Sequence, residues 1–357
     1  MGREIDLYLQ YLMDKVKVCF YPTCGNATNH FLANLARLLR SSGDFECSGF
    51  LDLAKQKKGE EFRQDVYHIN WFDQSLTFAS FLYRYYILLR IIFARKRIVW
   101  TIHNSVPHGG VPAYNRILRY LLLRCSSVIH IMSEGSRELP YLQPYLHKVV
   151  HIPHGDYFGS YPDSDVDVRK RYGIAANVPI VLFLGAIRPY KHIEILLEAF
   201  DFQDAALLIC GSVRPPDYLY KLTGSAVGKR NVFFSPEFVP DSELSAYLRT
   251  ASFLVAPYSY DSTLNSGTVL LACSYGKTMV CPDIAGVRDI QSESDCLYAY
   301  HYVDKADHAG KLRETMARAL ADTASGAIAE KEARALEYMR RNSWQANTSK
   351  WRVLFTR

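Results

Sequence analysis

Short apolar, β-branched runs alternate with stretches of helical periodicity from residue 17 to about residue 300. In the first half the runs predict strands at 17–21, 65–69, 97–103, 127–132 and 148–152, with helices at 29–40, 76–94, 113–124 and 134–142. The alternation then breaks over residues 155–171 (GDYFGSYPDSDVDVRKR), where Gly, Pro, Asp and Ser crowd together as in a linker. A second series follows, with strands at 179–184, 206–210, 231–234, 253–256, 278–281 and near 296–300, and helices at 193–200, 242–249 and 266–275. Beyond residue 302 the pattern is helical to about 341, with a last short segment to 357. Buried strands separated by helices imply parallel β-α-β units covered on both faces. The prediction is an α/β chain with two Rossmann-like, doubly wound domains, residues 1–160 and 161–335, followed by C-terminal helices in which residues 336–357 brace the first domain. Doubly wound sheets place ligands at the carboxyl ends of their strands, so a cleft between the two domains is expected.

Length and composition agree with this picture. The 357 residues suit two cores better than one, and 49% hydrophobic with 22% charged residues is ordinary globular usage. Eight cysteines, with no C-x-x-C pair and several inside apolar runs, read as reduced buried thiols, which fits a reducing cytoplasm. No run of 18 uncharged apolar residues predicts a membrane span. The formal charge of +6 is uneven: residues 1–163 hold 19 Lys+Arg against 14 Asp+Glu, and the remainder 23 against 22. A basic first half suits an anionic partner, although a solvated surface explains it equally well. Nucleic acid is not expected, because no recognition helix or aromatic stacking motif stands out.

Candidate chemistry gathers where predicted strands end. In RIVWTIHNSVPHG, a strand delivers His103, Asn104 and His108 into a loop, and an imidazole there can titrate near neutrality or bind a sugar hydroxyl. In VVHIPHGDY, His154 stands at the end of the first half, as a linker residue or as part of the cleft. In PIVLFLGAIRPYKHIEILLEAF, Arg188 and Lys191 precede a helix, and cations beside a helix N-terminus make an anion site that a diphosphate fits. In DSTLNSGTVLLACSYGKTMVCPDIAGVRD, Ser266 and Gly267 open an apolar helix, where the hydroxyl can cap the helix or bind phosphate and Gly267 permits close backbone approach. A turn is expected at Gly286.

The order T-x-H-N, I-P-H-G, F-L-G-x-I-R-P-Y-K and S-G-T-x-L-L-A-x-x-x-G resembles the GT-B glycosyltransferases of the "glycosyl transferases group 1" superfamily. It is especially similar to bacterial exopolysaccharide enzymes with an H-N-x-x-P-H loop, some of them β-mannosyl- or glucuronosyltransferases. The resemblance implies that Gly25, in the YPTCGNATNH loop, shapes the cleft near the donor, and that His103 contacts the transferred sugar. It implies further that Arg188 and Lys191 hold the donor diphosphate and that Ser266 and Gly267 cradle phosphate at a helix start. Where much of the superfamily carries E-x7-E, this chain has Thr263 and Leu271, which points toward an inverting mechanism with a base in the first domain. His103 is the first candidate for that base, with Asp73, His30 and His108 as rivals.

The expected activity is hexosyl transfer from a GDP- or UDP-sugar to a glycan or polyprenyl-diphosphate-linked acceptor in polysaccharide synthesis. No cofactor or metal is expected, since no D-x-D stands at a convincing strand end and Asp163-Ser164-Asp165, which spells the pattern, lies in the linker. Residues 74–100 are aromatic, apolar and basic, so peripheral contact with an anionic inner-membrane face stands beside a core-packed helix as the reading of that segment. A nucleotide-sugar 2-epimerase of the same architecture, or a non-catalytic nucleotide-sugar-binding partner of another transferase, are the alternatives.

Overall fold

The computed structural model describes residues 15–23, 30–50, 63–106, 109–260 and 264–356. The chain divides into two compact units, Met1–Gly155 with Ser343–Arg357, and Asp156–Asn342.

The first unit runs β1 (Val16–Tyr21), α1 (His30–Ser41), β2 (Phe45–Gly49), β3 (Val66–Asn70), α2 (Phe78–Phe93), β4 (Arg97–Ile102), α3 (Pro112–Cys125), β5 (Val128–Ile131) and β6 (Val149–His151). Its sheet has the order β2-β1-β3-β4-β5-β6, and every pairing is parallel. The order reverses between β1 and β3, which is where a doubly wound sheet opens a crevice at its carboxyl edge. Strand β2 is absent from the sequence reading because Phe-Glu-Cys-Ser-Gly has no apolar run; as an edge strand it buries alternate positions only. The helix expected at 134–142 is instead two 3₁₀ pieces, Glu134–Glu138 and Pro140–Lys148, since Pro140 and Pro144 remove donors that an α-helix needs.

The second unit runs α4 (Val168–Tyr172), β7 (Ile180–Leu184), α5 (Ile193–Ala199), β8 (Ala206–Cys210), α6 (Asp217–Ser225), β9 (Val232–Ser235), α7 (Leu244–Thr250), β10 (Phe253–Val255), α8 (Gly267–Ser274), β11 (Met279–Pro282), α9 (Ala285–Ser294), β12 (Tyr298–Tyr300), α10 (Lys305–Ser325) and α11 (Ile328–Arg341). Its parallel sheet has the order β12-β11-β10-β7-β8-β9, with the reversal between β7 and β10. Strands β7 and β8 are buried at every position, as sheets covered on both faces require. Their carboxyl ends approach so closely that a Cβ on Gly211 would stand 1.9 Å from the Gly185 carbonyl oxygen. Gly286 does not make a turn: it lies in the first turn of α9, where its N–H donates to the Leu264 carbonyl.

The last helix, α12 (Thr348–Thr356), belongs to the first unit. Trp351 and Phe355 are buried there with Phe20, Leu35 and Val18. The Arg97 guanidinium donates to the carbonyls of Leu354 and Phe355, placing a cation at the negative end of the helix. Gly155 is needed because the Trp344 indole lies where its side chain would be, 2.3 Å from an added Cβ.

Candidate functional site

In the first unit, the crevice at the ends of β3 and β4 is lined by Trp71, Asp73, His103, Asn104 and Arg119. Its centre is the half-buried imidazole of His103. Trp71 stacks on this ring with centroids 3.9 Å apart, and Phe31 of α1 meets it edge-on at 5.3 Å. Trp71 holds a φ of 49°, a left-handed conformation that costs a bulky side chain free energy and that tertiary packing must sustain.

The tautomer of His103 follows from its partner. Asn70 directs its amide nitrogen to the carbonyls of Tyr21 and His68, at 3.3 and 3.4 Å, so its Oδ1 faces His103 Nε2 at 2.9 Å. An amide oxygen only accepts, so Nε2 carries the hydrogen and Nδ1 keeps the lone pair. Burial, with smaller contributions from His130, His154 and His68, holds the ring well below the usual histidine range. At neutral pH it is an uncharged acceptor of protons.

Asp73 is arranged differently. Its Oδ2 accepts from Nε and Nη2 of Arg119 at 2.9 and 2.8 Å, while Arg119 also donates to the Ser105 carbonyl and lies over the Tyr141 ring. That carboxylate oxygen ties the end of β3 to α3, while His103 keeps its Nδ1 lone pair. Asn104 lines the same crevice. His154 is buried beside Phe31 and Trp344, with Nδ1–H donating to the Gly155 carbonyl at 2.7 Å. His30 opens α1 and is half-buried. Gly25, His108 and Thr263 lie outside the described residues.

Beneath this crevice runs a polar chain that motif reading missed. His130 Nε2–H donates to the Ile152 carbonyl at 2.8 Å, leaving Nδ1 to accept from Thr101, whose oxygen accepts from His68 Nε2–H at 2.7 Å. All three side chains are buried, and His68 Nδ1 has no hydrogen-bond partner among the described residues. Burial pushes His130 down from 6.5 to about 3 and His68 well below 6.5, so both are neutral in the fold. An unfolded chain takes up these protons near 6.5 while the folded chain refuses them. This stabilisation is therefore complete above about pH 6.5 and declines as pH falls toward about 3. Thermal melts from pH 7.5 to 4 are expected to show a Tm that drops steadily below about pH 6.5; a flat profile would contradict neutral burial of these rings.

The second unit gathers a different chemistry at its own sheet reversal. Arg188 follows β7 and donates to the carbonyls of Ile187 and Ser212. Lys191 ends a short 3₁₀ turn, and His192, at φ 53°, caps α5 behind it. The Lys191 ammonium stands 4.5 Å from the centroid of the Tyr258 ring, and burial lowers its pKa to about 8. No carboxylate bonds Arg188 or Lys191 among the described residues. The Tyr258 hydroxyl bonds Ser266, so that serine is held by tyrosine and makes no side-chain cap on α8. Gly267 has a packing reason too: the Tyr157 hydroxyl would stand 2.9 Å from its Cβ. Gly185, at φ 136°, faces Thr268, and a Cβ there would stand 3.7 Å from the threonine oxygen, so the end of β7 and the start of α8 border one space. Lys191, Tyr258 and the α8 N-terminus thus meet in a cationic corner, with Arg188 three residues ahead of Lys191 in the segment after β7. Leu271, at the second position of the E-x7-E pattern, is buried inside α8. Among the described residues no group of three or more His, Cys, Asp or Glu side chains converges as metal ligands would.

The profile of the family "Glycosyl transferases group 1" matches residues 165–340, nearly the whole of the second unit. The chain carries a glycosyl transferases group 1 domain. Among curated relatives, it is 25% identical over 231 residues to the "GDP-mannose:glycolipid 4-beta-D-mannosyltransferase" of Xanthomonas campestris pv. campestris, a match covering 62% of each protein. The chain therefore spans about three fifths of the length of that relative. Solved structures with the same fold include the sucrose-phosphate synthase of Thermosynechococcus elongatus, with a TM-score of 0.73 at 16% identity over 96% of this chain and 98% of that one. HepE of Anabaena in complex with UDP and glucose gives 0.71 at 15% identity, over 96% of this chain and 100% of that one. The fold is GT-B, two Rossmann-like units. The cationic corner lies inside the matched group 1 domain, and the His103 crevice lies outside it, in the first unit.

Proposed function

We propose that this GT-B protein transfers a hexose from a GDP- or UDP-sugar to a hydroxyl of a glycan or lipid-linked oligosaccharide in polysaccharide synthesis, with inversion and without an obligatory metal. In this reading His103 Nδ1 takes the proton of the acceptor hydroxyl. The oxygen attacks the anomeric carbon, the bond from that carbon to the diphosphate oxygen breaks, and the nucleoside diphosphate leaves. Arg188, Lys191 and the N–H groups that open α8 neutralise the departing charge, the role a metal plays elsewhere.

The observation that carries it is the pair of cations at the sheet reversal of a group 1 domain, neither bonded to a described carboxylate. The name of the Xanthomonas relative supports a nucleotide-mannose donor and a glycolipid acceptor, and the ligands of HepE support a nucleoside diphosphate. Thr263, at the first position of the E-x7-E pattern, supports inversion, since that position offers no carboxylate for a retaining path.

A melting screen with GDP, UDP, ADP and dTDP tests the nucleotide. A ligand at about 100 times its Kd adds about 2.7 kcal/mol, so the matching nucleotide is expected to raise Tm by about 5 °C. The corresponding nucleotide-sugar and a glycolipid acceptor should then give a product of inverted anomeric configuration, with EDTA present. A new sugar isomer formed from donor alone would instead identify an epimerase, and no response to any nucleotide would remove the phosphate site.

A further inference from the structure

We propose that the outer face of α2 and α3 docks the protein on an anionic lipid bilayer. Helix α2 is apolar or aromatic at 13 of its 16 positions (FASFLYRYYILLRIIF), yet only Ile87, Leu88 and Ile91 are buried. A helix with that composition in a soluble unit normally buries a wide stripe. Here Phe78 is 58% exposed, Tyr86 53% and Phe93 79%, and on the adjoining α3 Tyr120 is 54% exposed. Large side chains exposed side by side mark a surface meant to be covered.

Charge says by what. Residues 74–133 contain eight cations (Arg84, Arg90, Arg95, Lys96, Arg97, Arg116, Arg119 and Arg124) and no Asp or Glu. Arg90, Arg95, Arg116 and Arg124 are exposed among the aromatics. A second copy meeting this face through a two-fold axis would set cations against cations, so self-association is disfavoured. Aromatic rings at headgroup depth with Arg on lipid phosphates satisfy both features together. Among the described residues no helix is long and apolar enough to cross a membrane, so α2 would lie in the interface plane.

The face is joined to the crevice described above. Arg84 of α2 donates to the carbonyls of Trp71, Phe72 and Gln74, the segment that carries Trp71 and Asp73. Docking through α2 therefore holds the His103 crevice next to the lipid surface, where a lipid-linked acceptor is presented; this consequence rests on the proposed function, whereas the docking itself does not.

The full chain is sedimented with vesicles of phosphatidylcholine alone and with about 30% phosphatidylglycerol, at low salt and at about 0.5 M salt. Binding is expected to the anionic vesicles only, to fall with salt, and to weaken about 100-fold in Arg90→Glu/Arg95→Glu/Arg116→Glu. Phe93→Ser/Tyr86→Ser should weaken it at unchanged charge. The nucleotide-induced Tm rise, read in the same variants, reports that the fold and the donor corner are intact. Equal binding to neutral and anionic vesicles, no binding to either, or a lipid-free dimer that these substitutions dissolve would each overturn the proposal. Vesicle binding with no transferase activity would leave docking standing and remove the proposed reaction.

Discussion

Replacing His103 with Ala is expected to lower kcat for sugar transfer by about 10²–10⁴-fold, the usual contribution of a positioned general base. The nucleotide-induced rise in Tm should stay unchanged, because the cationic corner belongs to the other unit. The argument rests on the Asn70 contact: Oδ1 at 2.9 Å from Nε2 leaves Nδ1 as the basic atom. Burial also keeps the ring uncharged, so at pH 7 the base is in its working form and its protonation sets the acid limb of the pH–rate profile. Asn70→Asp sharpens the test. A carboxylate beside Nε2–H favours the imidazolium, raises the pKa and moves the acid limb of kcat/KM to higher pH. A purely structural role for Asn70 would lower activity without moving that limb. If the His103→Ala protein retains activity within tenfold of the parent, the base lies elsewhere, and Asp73, bound to Arg119, is no better placed.

Lys191→Ala is expected to abolish the nucleotide-dependent Tm rise and lower kcat by about 10²–10³-fold, the loss found when one donor to a developing charge is removed. Lys191 is suited to this because its ammonium is held against the Tyr258 ring with no described carboxylate to neutralise it, so its charge is available to a ligand. Its pKa, pushed down to about 8 by burial, adds a signature. Only the protonated amine pairs with a diphosphate, so nucleotide affinity should weaken as pH rises through about 8, and binding near pH 8 should take up protons. Calorimetry in two buffers of different ionisation enthalpy measures that uptake. Unchanged nucleotide binding by Lys191→Ala, or no proton uptake near pH 8, would place the phosphates away from this corner.

Much of this was legible in the chain order of residues. Strand and helix periods are local properties, so the two α/β units, most of their elements and the positions of His103, Arg188 and Lys191 at strand ends followed from sequence spacing alone. The elements that escaped have local reasons: β2 has no apolar run, and α6 and α9 are polar surface helices with Gly at Gly224 and Gly286. The motif residues of α8 were also correctly located, yet their contacts were not foreseeable. Ser266 bonds Tyr258, and Gly267 makes room for Tyr157, 110 positions earlier in the chain.

What the sequence by itself determined about this protein is its class of fold and the types of side chain brought to the strand ends. Only the tertiary structure decided which nitrogen of His103 is basic, that Asp73 is occupied by Arg119, and that His68, Thr101 and His130 share one proton-ordered chain. Asn70 pairs with Thr101 and Thr101 with His130 through sheet register, across strands about thirty residues apart. Register is set by the packing of whole sheets and helices, and no window of neighbouring residues contains it.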